Sequence, residues 1–189
     1  MKFSLSFRIW HWLNAFVILG LLGTVFLRQT FLSWRTNSEI LISKLQEINI
    51  EITAIQAKVL AKAIRAGMWE WHILLGYALA FLVLFRIYLY FKDTSERESF
   101  SSLSLHKKVV HSSYYILNAT LIVIATTGLI IHFYQELGLL KDTAHDIKEI
   151  HELAYYVILY FVPLHILGVV IAENRDEKGI ISTIVNGKK

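Results

Sequence analysis

Apolar positions along the chain gather into four long blocks, at about 9–27, 71–91, 109–133 and 150–172. A helix needs about 20 consecutive, mostly apolar residues to cross the hydrocarbon layer of a bilayer, and each block has that length. Lipid offers no partner to an unpaired backbone N–H or C=O, so each block is expected to be a helix. The pattern predicts an all-α integral membrane protein, a four-transmembrane-helix bundle forming a single membrane domain over residues 1–189. The first block has the basic flank of a signal peptide (Lys2, Arg8). Its apolar run is long, however, no small-x-small cleavage site follows, and His11 sits at its start between Trp10 and Trp12. It is read as a retained span.

The connections differ in character. In the 28–68 loop, Lys44, Glu47, Glu51, Lys58 and Lys62 interrupt the apolar pattern too often for a fifth span. Leu41, Leu45, Ile48, Ile52, Ile55 and Val59 nevertheless step by four and three, which predicts an amphipathic helix over about 38–66, capped by Asn37 or Ser38. Such a helix would lie on the membrane surface, or dock a partner subunit or second copy through its 41–59 seam. The Ser-rich 92–108 segment reads as an exposed connection. Thr143 with Asp146 resembles a capping box opening the last helix.

Composition agrees with this class: 55% of residues are hydrophobic and 18% charged. Four spans put both termini on one face. Dividing Lys and Arg between the faces gives eleven on the terminal side and eight on the other, which places both termini in the cytoplasm. The net charge of +4 comes from residues flanking the spans and does not point to nucleic acid. The absence of cysteine excludes disulfides, iron–sulfur ligation and covalent c-type haem.

Six of the eight histidines lie in or at the ends of the blocks. An ionisable group in a span is costly and is a functional hypothesis by default. His151 and His165, fourteen residues apart, fall about 40° short of four full turns, so they share a helix face about 21 Å apart along the axis. With alternating span directions, His72 meets His151 at the outer level and His11 meets His165 at the inner level. Two imidazole pairs inside a bundle suit two six-coordinate b-type haems. Rival readings are an outer zinc site using Glu70 and Glu152, or histidines that only bond between helices in a haem-free scaffold. His111 could replace an inner ligand or line a quinone pocket, and His132 competes at the outer level. His106 and His145 read as surface residues.

Neighbouring residues fit a flat ring. Gly76 follows His72 by four and Gly168 follows His165 by three, letting a macrocycle approach the backbone. Gly20, Gly23 and Gly128 read as close helix-packing positions. Pro163 is expected to kink the last span before His165. Arg8 and Arg86, at the inner level, could pair with haem propionates or a quinone carbonyl, or snorkel to the interface.

Four pieces of the sequence carry a resemblance: "FRIWHWLNAFVILGLLGT", "WHILLGYAL", "HKKVVHSSYYILN", and "IHELAYYVILYFVPLHILGVVIAENRDEKGIISTIVNGKK". Together they resemble the bacterial cytochrome b561 and Ni/Fe-hydrogenase b-type cytochrome superfamily. The resemblance implies two b-type haems held by His11, His72, His151 and His165 in an inner-membrane bundle that exchanges electrons with quinone. The partner would be a periplasmic redox protein or a small diffusible oxidant or reductant. As an alternative, the chain would be the haem-bearing anchor subunit of a larger respiratory oxidoreductase such as a hydrogenase. It has four spans where the hydrogenase cytochromes usually have a further one, and its first loop is longer than in small four-span members.

Overall fold

The computed structural model describes residues 3–92, 104–175 and 178–187. Among them every regular element is a helix: α1 (Leu5–Gln29), α2 (Trp34–Glu47), α3 (Ala54–Ile64), α4 (Ala66–Lys92), α5 (Leu105–His132), α6 (Lys141–Asn174) and α7 (Ile180–Asn186). Helices α1, α4, α5 and α6 are long and apolar enough to cross a membrane. At most 22% of any of these spans is buried inside the chain. Phe16, Phe81, Leu84, Tyr160 and Leu164 all face outward. Such surfaces are stable where the solvent is lipid and not where it is water. The protein is an all-α integral membrane protein.

The chain divides into two compact units, Phe16–Gly76 and the combination of Met1–Ala15 with Tyr77–Lys189. In the larger unit α5 and α6 pack along each other, and α7 packs back on α6. Buried Trp10 donates from Nε1 to the Leu82 carbonyl at 2.9 Å, tying the start of α1 to α4. A buried hydrogen bond of this kind contributes about 1 kcal/mol. Helix α6 runs unbroken from Lys141 to Asn174 with Pro163 inside it.

In the smaller unit α2 packs against α3. The segment expected as one helix over about 38–66 is thus two. The chain breaks between them at Asn49, which has φ 59°, a left-handed conformation that asparagine tolerates better than most residues. The β-branched run Ile50, Ile52, Thr53 then favours extended backbone. Helix α3 restarts on a complete capping box: the Thr53 side chain accepts from the Gln56 N–H, and the Gln56 side chain accepts from the Thr53 N–H. Ser33 occupies the N-cap position of α2 without a side-chain capping bond, and Asn37 and Ser38 both lie inside the helix. α3 buries only the small residues Ala57 and Ala61, and turns Ile55, Val59 and Ile64 outward.

The last spanning helix likewise starts earlier than expected. Leu140 is its N-cap, so Thr143 is already helical and forms no cap with Asp146. A helix that leaves the membrane has no reason to stop at the edge of its apolar run. Here Lys148–Glu152 at 2.8 Å and His145–Glu149 at 3.6 Å line its polar end at i,i+4 spacing.

The short helix α7 was not anticipated. It is held at one end by a nearby side chain and at the other by distant ones. Glu173 accepts from the N–H groups of Gly179 and Ile181, both at 2.9 Å. Arg8 donates to the carbonyls of Ile184 and Val185 at 3.3 and 2.5 Å, and Trp12 adds a bond to Ile184 at 3.3 Å. These are the free backbone groups that any helix leaves at its ends.

Candidate functional site

Two of the expected ligands face each other directly. His11 on α1 and His165 on α6 have ring centroids 6.1 Å apart with their planes inclined at 59°. An N–H···N bond between two imidazoles brings the centroids to roughly 5.2 Å. Two imidazoles on opposite sides of one metal, through bonds of about 2.0–2.1 Å, hold them roughly 6.4 Å apart. The observed spacing lies close to the second value. Phe161 stacks on His165 at 5.6 Å and 12°, and Tyr114 meets the same ring edge-on at 6.0 Å. Phe7 and Trp12 flank His11 at 6.4 and 5.5 Å. These rings restrict how each imidazole can turn. Asn14, one turn beyond His11, is buried with no hydrogen-bond partner for its Oδ1. A buried polar atom without a partner calls for something beyond the polypeptide, such as water or a ligand.

The other two expected ligands are each held by a threonine of their own unit. In the smaller unit, His72 Nδ1 lies 2.7 Å from Thr24 Oγ1, and Trp69 meets the His72 ring edge-on at 5.5 Å. In the larger unit, His151 Nδ1 lies 3.0 Å from Thr127 Oγ1. A Cβ added to Gly128 would come within 3.2 Å of His151 Cε1. Sequence reasoning missed both threonines, because a threonine inside a span reads as a neutral helical residue. Gly128 is a close helix-packing position, and the neighbour on α6 that lies against its bare backbone is the His151 imidazole. Gly20 does serve close helix approach, since a Cβ there would sit 2.9 Å from Leu75 Cδ1.

The remaining candidates are placed as follows. Cβ atoms added at Gly76 or Gly168 would meet nothing within 4 Å, so both glycines border open space. Arg8 is engaged with the end of α7, as described above. The Arg86 guanidinium lies 5.1 Å from both the Phe7 and the Trp10 rings. His111 is half-buried on α5. His132 packs edge-on against Tyr77 at 5.7 Å and Phe133 at 4.6 Å. The His106 side chain lies outside the described residues. Basic residues of the smaller unit rest on tryptophan faces: Arg28 on Trp69 at 5.6 Å, and Arg35 and Lys58 on Trp34 at 5.2 and 4.8 Å. Burial, and then the nearby Arg28 charge, lower the Arg65 guanidinium from its ordinary value.

A zinc or di-iron centre wants three or four protein ligands converging at one level. Among the described residues no three His, Cys, Asp or Glu side chains converge in that way. A pair of imidazoles is instead the protein's share of a centre whose other ligands come from a planar macrocycle. His11 and His165, with ring centroids 6.1 Å apart between two spans, are a donor set that fits haem.

An all-helical membrane chain with imidazoles facing one another between its spans defines a class, the membrane-embedded b-type cytochromes. The family model of prokaryotic cytochrome b561 matches residues 2–187, and the chain belongs to that family. It is a multi-pass bacterial membrane protein of electron transfer, and the family implies b-type haem. Comparison with curated proteins and with solved structures returned no significant match.

Proposed function

We propose that the chain is a transmembrane electron conduit that binds two b-type haems, one near each membrane face. His11 and His165 ligate the inner haem, and His72 and His151 the outer one. The observation that carries this reading is the 6.1 Å spacing of the His11 and His165 rings. The outer pair rests on the depth of the two histidines along their spans. Haem supplies a one-electron iron couple when bound. The chain's own residues would bind it, exclude water and set its potential through the four imidazoles and their neighbours. Gly76 and Gly168 leave room for the macrocycle. Both termini lie in the cytoplasm, and electrons pass between quinone in the bilayer and a periplasmic redox protein or small diffusible species.

A second reading is favoured by α3, which turns Ile55 and Val59 outward at 77% and 62% exposure. These side chains suit a partner subunit, which would make the chain the haem-bearing anchor of a larger oxidoreductase such as a hydrogenase. Mild-detergent purification from the native membrane tests the two. Under the first reading the cytochrome elutes alone and is reduced by a quinol analogue. A stoichiometric second polypeptide, released when Ile55 and Val59 are both replaced by Asp, would support the anchor.

A further inference from the structure

Histidine bound to a metal is commonly fixed by a hydrogen bond from its second ring nitrogen. Both histidines assigned to the outer haem have such a partner, and in each case it is a buried threonine. Thr24 Oγ1 lies 2.7 Å from His72 Nδ1 and donates to the Leu21 carbonyl at 2.6 Å. Thr127 Oγ1 lies 3.0 Å from His151 Nδ1 and donates to the Val123 carbonyl at 2.7 Å. A hydroxyl has one proton, and a carbonyl can only accept. With that proton on the helix carbonyl, the oxygen faces the imidazole through a lone pair, so Nδ1 must carry the ring proton. The tautomer with hydrogen on Nδ1 places the lone pair on Nε2. At 7% and 9% exposure, Thr24 and Thr127 are shielded from water that would compete for these bonds.

We infer that Thr24 and Thr127 are positioning residues that lock His72 and His151 in the Nδ1–H tautomer, so that each offers Nε2 to iron. This rests on the assignment of those two histidines to the outer haem. The two threonines sit on different helices, α1 and α5, yet form the same bond to their histidines. His11 and His165 are flanked instead by aromatic rings. The Nδ1–H bond also makes the imidazole more basic, which favours ferric over ferrous iron. A haem held by His72 and His151 would thus have a lower potential than one held by His11 and His165, whose rings have aromatic neighbours.

The test uses the full-length holoprotein in detergent, with haem affinity and a redox titration as readouts. Thr127→Val keeps the shape and removes the hydroxyl. It is expected to weaken haem binding at one site 10- to 100-fold and to raise one of two midpoint potentials, leaving the other in place. A tenfold change in the ferric-over-ferrous preference appears as 59 mV. Thr127→Ser restores the hydroxyl and is expected to return both values towards those of the unchanged protein. Thr24→Val tests the opposite ligand and stands in if Thr127→Val does not fold. Unchanged affinity and potentials in folded valine variants, with His151→Ala still losing one haem, would overturn the inference and leave the proposed function standing. If His151→Ala also keeps full haem content, the ligand assignment itself fails.

Discussion

Gly128 on α5 faces the imidazole of His151 on α6 so closely that a methyl group added to it would lie 3.2 Å from Cε1. The ring is held from two sides, by this bare backbone and by the Thr127 hydroxyl one residue before it. Gly128→Ala is expected to push the ring by a few tenths of an ångström. Metal geometry tolerates little of that. Haem occupancy should fall severalfold at one of the two sites, with α-helical content unchanged. Full occupancy of both sites would show that the ring has room to yield.

Gly168 is the contrasting case. A Cβ added there would meet nothing within 4 Å, so the polypeptide leaves space beside its backbone. Gly168→Leu is therefore expected to leave the chain folded and monodisperse. If the macrocycle lies against this turn, the variant loses most of the haem held by His165. A Leu variant with unchanged haem content and spectrum would remove Gly168 from the site.

Arg8 is expected to act on the C-terminal helix. Its guanidinium is committed to the Ile184 and Val185 carbonyls. Arg8→Ala should release α7, seen as faster amide exchange over 180–186, with haem content kept. Charge-assisted bonds of this sort contribute roughly 1.5–3 kcal/mol when shielded and less at an exposed site such as this one. Loss of haem without any change in α7 would return Arg8 to the propionate role.

The four spans were legible because lipid imposes one demand on long stretches of chain, and apolar blocks of span length meet it unambiguously. The meeting of His11 with His165 was legible too, because depth along a span follows from residue count alone. The remainder depends on contacts that sequence spacing does not encode. Asn49 could break the loop helix because one left-handed residue fits there, while the apolar period of Leu41 to Val59 runs on regardless. The restart at Thr53 did carry a signal, a threonine followed three residues later by a glutamine. Helix α7 has only seven residues and depends on Glu173 just before it and on Arg8 from the other end of the chain. Thr24 and Thr127 became visible only once each was seen beside its imidazole.

Two imidazole pairs would hold two haems, and haem content per chain measures this directly. It would be taken by reduced-minus-oxidised visible spectroscopy and pyridine haemochrome assay on folded protein from haem-replete cells, beside the His165→Ala variant. Two haems are expected in the unchanged protein and one in the variant, the survivor still showing a six-coordinate low-spin spectrum. Two haems in both, or none in either, would contradict this.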